Sequence, residues 1–358
     1  MPLTIVVGGQ YGGEGKGKIV SHLSAVDNVD YVVRCGGPNS GHTVDYNGKR
    51  CILRLLPAGF VNAKTRLLLA AGTLINSDIL LQELESCKVN PARLGVDFNA
   101  GVITKEDEKC EKALDLKKKI GSTLSGVGAA VARRVLRNGN FRLAKDDPKL
   151  QPFLTCVSHE VNSALDRSLK VIVEGTQGFG LSLYHSKSYP YTTSRDTTAS
   201  AFLSEVGVSP LRTTTVIMVL RTFPIRVGGN SGPLKNEITW KKLQKLSKYP
   251  YEIREFTTVT NRLRRVAFFD IDLVKEATTV NNPTEIALNG VDYIDYQNRG
   301  ARRIENLTRT AREFIDHIEK ETRVRVSFVG TGPTNEEIID TRNILREEVV
   351  GRQDTSLH

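Results

Sequence analysis

Long apolar runs are missing from this sequence: nothing approaches the roughly 20 residues a helix needs to cross a bilayer, which excludes helical membrane proteins. Cysteine is scarce. The five present (Cys35, Cys51, Cys87, Cys110, Cys156) are odd in number and show no CxxC spacing. That pattern predicts free thiols in a reducing, cytoplasmic setting and argues against a zinc site. The opening "MPLTIVVGG" has neither the basic region nor the cleavage site of a secretory signal and reads as a first strand. No lysine- or arginine-rich tail and no aromatic RNA-binding signature is present, so nucleic acid is not expected as a partner despite a net charge of +10. Such a charge also suits a pocket for several small anions, with "KKK" (117–119) and "WKK" (240–242) as solvated helix faces. Linkers, repeats and low-complexity segments are absent too, which predicts a single domain over 1–358.

What is present is the alternation of an α/β protein. "LTIVV" (3–7) feeds a glycine-rich loop, and "KIVSHLSAV" (18–26) behind it is helical in character. "VDYVVRCGG" (29–37), "RLLLAAGTLI" (66–75), "LKVIVEGTQG" (169–178), "TTTVIMVLRTF" (213–223) and "VRVSFVGTGP" (324–333) read as buried strands running into loops. Asn47-Gly48 marks a hairpin within 43–57, while 77–87 and 307–322 read as helices. The expected architecture is P-loop-like: one central, mostly parallel sheet flanked by helices, with ligands at the carboxyl ends of its strands.

Four segments carry chemistry. "GGQYGGEGKGKIV" (8–20) fits G-x4-G-K through Gly12, Gly17 and Lys18, but Ile19 stands where a P-loop NTPase has its magnesium-binding hydroxyl. The phosphate-binding physics survives, since glycines let main-chain N–H groups converge at a helix N-terminus beside a lysine. "CGGPNSGHTV" (35–44) places Asn39 and His42 between glycines at a strand end. "EGTQGFGLSLYHSKSYPYTTSRDTT" (174–198) offers Gln177 and a cluster of hydroxyls. "TTVTNRLRR" (257–265) supplies Arg262, Arg264 and Arg265, whose forked guanidinium groups match carboxylate and phosphate.

Together these segments resemble the adenylosuccinate synthetase family in nature, order and spacing. Its GxQWGDEGKGK appears as "GGQYGGEGKGK", its GGxNAGHT as "GGPNSGHT", and its EGAQG…YPxVTSS as "EGTQG…YPYTTS". Its TTGRxRR loop becomes "VTNRLRR" (259–265), its STGP becomes "GTGP" (330–333), and "IGSTLSGVGAAVARR" (120–134) is a shortened form of another family segment. The resemblance implies a ligase that phosphorylates a purine at O6 and lets L-aspartate displace the phosphate. It implies that Lys16 and the loop cradle the transferring phosphoryl group, that His42 stabilises its charge as an imidazolium, and that Gln177 sits near O6. Asn39, Thr123 and Thr193 would hold the nucleotide 5′-phosphate, joined by Arg133 or Arg134 from the partner in a homodimer. Val259, Thr260, Arg262 and Arg264 would bind aspartate. Gly12, Glu14, Gly15, Lys16, Gly17, Gly41, His42 and Thr43, with Asp292, Gly330 and Gly332, would hold the triphosphate donor. Mg2+ would sit on the main-chain carbonyls of Gly13 and Gly41.

The sequence departs from the family at three places. Gly13 replaces the aspartate that serves as base at purine N1. Loss of that carboxylate beside C2 is read as a gap for the 2-amino group of guanine. The bacteriophage branch of the family, which uses dGMP, lacks the same aspartate. The expected reaction is therefore dGMP plus L-aspartate to N6-succino-2-amino-2′-deoxyadenylate, with ligation of IMP and L-aspartate driven by GTP as the alternative and a non-catalytic phosphate or nucleic-acid binder as the reading outside the class. "NGVD" (289–292) puts Gly290 where the family's donor-base segment has lysine, which favours ATP or dATP over GTP. Val259 and Asn261 alter the aspartate loop.

Overall fold

A computed structural model describes residues 2–342 apart from Asn47 and Val259. Ten strands form one sheet. From edge to edge they run Ile338–Asp340, Val326–Gly330, Glu285–Asn289, Thr215–Arg221, Leu3–Gly8, Val171–Glu174, Tyr31–Arg34, Arg66–Leu69, Leu94–Asp97 and Leu154–Thr155. Every neighbouring pair is parallel except the first, where Ile338–Asp340 returns antiparallel beside Val326–Gly330. The mostly parallel, helix-flanked sheet expected from the sequence is present.

The strands alternate their side chains between two cores, as the period of two requires. Leu3, Ile5 and Val7 pack with Val33, Leu68, Met218, Leu220 and Phe202 on one face. Val6 packs with Val32, Leu67, Ile217, Val219 and Phe328 on the other. Burial on both faces explains why these strands read as continuous apolar runs rather than alternating ones.

The six expected strands and three expected helices form, the latter as Lys16–Val26, Ser77–Ser86 and Arg309–Thr322. The hairpin forms too, with His42 opposite Leu53 in strands His42–Tyr46 and Lys49–Leu53. Sequence reading passed over Leu94–Asp97, Leu154–Thr155, Glu285–Asn289 and Ile338–Asp340, which are short and carry charged or small residues. The five cysteines are free thiols. Among the described residues no helix is long and apolar enough to cross a membrane.

Parallel strands bring their carboxyl ends to a single edge. Gly8, Arg34, Glu174, Arg221, Asn289 and Gly330 each close a strand there. A small three-stranded sheet (Ile225–Arg226, Arg265–Ala267, Glu237–Ile238) hangs over this edge and pairs Arg226 with Arg265. It carries the arginine loop to the glycine loop.

Candidate active site

The glycine loop lines a cavity of about 830 Å3 at the carboxyl edge of the sheet. Gly15 takes φ 95° before the helix Lys16–Val26, and Gly12 takes φ 93°; both need the freedom of glycine. Within the loop, Glu14 folds back: its Oε1 accepts from the main-chain N–H of Gln10 (3.1 Å) and Gly12 (2.7 Å), and its Oε2 meets Lys16 Nζ at 2.9 Å. Lys16 Nζ also donates to the Gln177 carbonyl. Lys16 is 1% exposed, so its charge is stored against Glu14.

Lys18, the lysine of the G-x4-G-K match, does something else. It donates to the carbonyls of Gly332 (2.6 Å) and Glu337 (2.9 Å), tying the first helix to the "GTGP" loop. Burial pushes its pKa down to about 8.

His42 stands at the cavity wall with its ring against two strand-end residues. Nδ1 bonds Glu174 Oε1, while Arg34 Nη1 lies 2.6 Å from Nδ1 and 2.7 Å from Glu174 Oε1. Burial, followed by the Arg34 guanidinium, lowers His42 to about 4. Burial and Arg34 thus work against the imidazolium expected from the sequence, while the Glu174 carboxylate on Nδ1 works in its favour.

Gly13 lines the cavity with its main chain, but the space its own side chain would take is occupied. A Cβ built there would lie 2.6 Å from Ile225 Cγ1 and 2.7 Å from Arg264 Nη1. Ile225 is 3% exposed, so the space a residue-13 side chain would take is already filled. Further along the wall, Arg221 and Glu255 form a bidentate ion pair, Tyr293 donates to Glu255 at 2.8 Å, and Arg221 stacks on the Tyr293 ring. Arg221 Nη1 also faces the Gly13 carbonyl at 3.5 Å. A guanidinium there opposes the metal role expected of that carbonyl. Among the described residues no group of three or more His, Cys, Asp or Glu side chains could hold a metal ion. Mg2+ keeps several waters and takes phosphate oxygens, so a site with few protein ligands still fits it; the Gly41 main chain lines the cavity.

Of the residues expected from the sequence, the cavity brings together Gly12, Gly13, Glu14, Gly15, Lys16, Gly17, Gly41, His42, Thr43, Arg264, Asp292 and Gly332. Gln177 sits immediately behind, its Cα 3.2 Å from a Cβ built at Gly12. Gly330 is packed beneath, against Asn289. Asn39, Thr123 and Thr193 lie off this cavity. Thr123 Oγ1 bonds Ser125 Oγ (2.9 Å), which Arg54 joins to the Pro38 carbonyl, and the Thr193 hydroxyl is buried without a partner. Arg262 lines a separate groove with Lys117, Lys118 and Asn230, so it does not join Arg264. Thr260 spends its hydroxyl on Thr257 (2.7 Å), and Val259 lies outside the described residues. Arg133 is held bidentately by Asp107 (3.0 and 2.7 Å). Among the described residues no carboxylate clamps Arg134, which reaches the Ala71 carbonyl at 3.1 Å.

Sequence reasoning missed Arg34, Glu174, Arg221, Tyr249, Glu255 and Asn289. The signal available was a charged or amide residue closing an apolar strand, as in "YVVR", "VIVE", "TVIMVLR" and "EIALN".

The sequence profile of the adenylosuccinate synthetase family matches residues 5–146 and 141–299. Adenylosuccinate synthetase of Archaeoglobus fulgidus is 42% identical over 96% of this chain and 99% of its own length; that of Methanocaldococcus jannaschii is 43% identical over 96% and 97%. The chain belongs to the adenylosuccinate synthetase family. It is thus a C–N bond-forming ligase of a family that couples aspartate to a purine nucleotide with Mg2+ and a nucleoside triphosphate. Fully ligated adenylosuccinate synthetase from Plasmodium falciparum shares the fold, with TM-score 0.83, 22% identity and coverage of 95% of this chain and 100% of that one. A cyanophage S-2L succinoaminodeoxyadenylate synthetase, bound to dGMP and dATP as an energy donor, superposes with TM-score 0.80, 29% identity and coverage of 98% and 99%.

These relationships correct the dGMP reading. Relatives at 42–43% identity over nearly the whole chain are adenylosuccinate synthetases, whereas the phage enzyme is more distant at 29%. The physical premise fails as well, because Ile225 and Arg264 occupy the space that Gly13 was expected to leave open.

Proposed function

We propose that this chain is an ordinary adenylosuccinate synthetase, joining IMP to L-aspartate at C6 at the expense of a nucleoside triphosphate. The observation that carries this reading is the assembly of Lys16, His42 and Arg264 on one cavity wall, within a chain matching archaeal enzymes of that name along its length. Hydroxyl-like O6 is a poor leaving group and phosphate a good one. Transfer of the γ-phosphoryl group to O6 therefore precedes attack by the aspartate amine at C6, which expels inorganic phosphate.

In this reading Lys16 exchanges Glu14 for the transferring phosphoryl group, a short swing because both ligands lie within one loop. Glu14, still held by the main-chain N–H groups of Gln10 and Gly12, is then not the base at N1. His42 presents Nε2 to the same group, since Nδ1 is committed to Glu174. Gln177, packed against Gly12, reaches the O6 region. Arg264 takes an aspartate carboxylate. The unpartnered Thr193 hydroxyl, with Asn39 and Thr123, receives the 5′-phosphate. In a homodimer, Arg134 is the arginine free to reach the partner's nucleotide, because Arg133 is spent on Asp107. Mg2+ neutralises donor phosphate charge when bound.

In its donor the site departs from the ordinary enzymes, which use GTP: an adenine nucleotide (ATP or dATP) suits it better. Guanine's N1–H and 2-amino group call for both oxygens of a carboxylate, and the Tyr249 hydroxyl already donates to Asp292 Oδ2.

Purified protein given aspartate, Mg2+ and each pairing of IMP, GMP or dGMP with ATP, dATP or GTP tests this by product mass. Adenylosuccinate from IMP is expected, with more product from ATP than from GTP. Succino product from dGMP alone would overturn the substrate assignment. No product from any pairing would favour a binding protein.

A further inference from the structure

We propose that Glu174 is a positioning residue that holds His42 as the Nδ1–H tautomer, so that Nε2 is the ring nitrogen facing the transferring phosphoryl group. The proposal rests on the ligase reading for its catalytic consequence, but the tautomer itself follows from geometry.

Glu174 closes the strand Val171–Glu174 and pairs in register with Arg34 on the neighbouring strand. Its side chain is fully buried. Oε2 accepts from the main-chain N–H of Ala58 at 2.8 Å, which fixes the plane of the carboxylate. Oε1 meets both Arg34 Nη1 and His42 Nδ1. Arg34 Nη1 also lies 2.6 Å from Nδ1, but its N–H has Glu174 Oε1 to donate to at 2.7 Å, whereas a lone pair on Nδ1 would face that carboxylate oxygen at hydrogen-bond distance. A proton there makes a charge-assisted hydrogen bond instead. The Arg34 guanidinium, anchored at the far side by the Arg54 carbonyl (3.2 Å), balances the carboxylate and keeps it an acceptor. The ring cannot retreat either, because His42 Cβ packs on Gly17, where an added Cβ would lie 2.7 Å away. Geometry of this kind, a carboxylate fixing one ring nitrogen so that the other works, changes rates steeply when the tautomer is lost.

The test uses full-length protein with 15N-labelled histidine and no substrate, the His42 signals being assigned by their loss in His42→Asn. Nδ1 is expected at the protonated, pyrrole-type shift and Nε2 at the pyridine-type shift. The opposite assignment in the wild type would overturn the proposal without any variant having to fold. In Glu174→Gln the ring is expected to shift toward the Nε2–H tautomer, and kcat to fall about a hundredfold while KM for nucleotide and aspartate stays within about threefold. An unchanged kcat, or a loss confined to KM, would show Glu174 to be merely structural. Wild-type protein that lacks ligase activity yet shows the Nδ1–H tautomer would sink the functional reading and leave the geometry standing.

Discussion

Ile225 and Arg264 decide what Gly13 means. Neither is near it in sequence, and together they turn an apparent vacancy into a packed contact. Overpacking costs roughly 1–3 kcal/mol, so Gly13→Ala should lower stability by about that amount in urea denaturation. Adding Ile225→Ala should recover part of the loss; equal stability of the single and double variants would mean that Ile225 is not the obstacle. Tyr249 acts in a similar way on Asp292. Tyr249→Phe removes the hydroxyl that occupies Oδ2. Relative kcat/KM for GTP over ATP is expected to rise in that variant, and an unchanged ratio would detach Asp292 from donor choice.

Elements are joined at this edge by buried polar side chains rather than by apolar contact alone. Lys18 on the first helix binds carbonyls of the "GTGP" loop and sits at a pKa of about 8, below the ordinary lysine value of 10.5. The folded state therefore gives up this proton more readily than the unfolded chain. Below pH 8 the lysine is charged in both states and the burial penalty is complete. As pH rises toward 10.5 the penalty is relieved, so stability relative to Lys18→Met should increase, by an amount on the order of 3 kcal/mol. Flat relative stability across that range would contradict the assignment. On the same face of the sheet, Asn76 caps the helix Ser77–Ser86 by accepting from the Ile79 N–H at 3.2 Å. Asn76→Ala should cost about 1 kcal/mol in the same denaturation assay.

At the scale of the whole molecule, two apolar layers clamp the sheet and hold its carboxyl edge rigid. Phe202, fully buried in one layer, contacts the start of the Gly175 loop that carries Gln177. Phe202→Ala should lower stability by about 3–5 kcal/mol. Because the cavity straddles strands from both halves of the chain, nucleotide, Mg2+ and aspartate together should raise Tm by more than the sum of their separate shifts; additive shifts would indicate independent sites.

Much of the fold was legible because a parallel sheet buried on both faces writes itself as β-branched runs between glycine loops. "LTIVV", "VIVE" and "TVIMVLR" show it, and the phosphate loop is named by its own glycines and Lys16. "EIALN" escaped because its small and polar residues give no periodic signal, although Asn289 then closes a strand at the site. What the sequence by itself determined was the strand–loop–helix order, the family and the phosphate chemistry, all of which are local or collinear patterns. Only the tertiary structure decided that Gly13 is filled rather than open, that Arg133 is spent on Asp107, that Arg262 faces another groove, and that Glu174 and Arg34 flank His42. Those outcomes depend on which side chains from distant strands arrive at one edge, and packing in three dimensions leaves no trace of that in linear spacing.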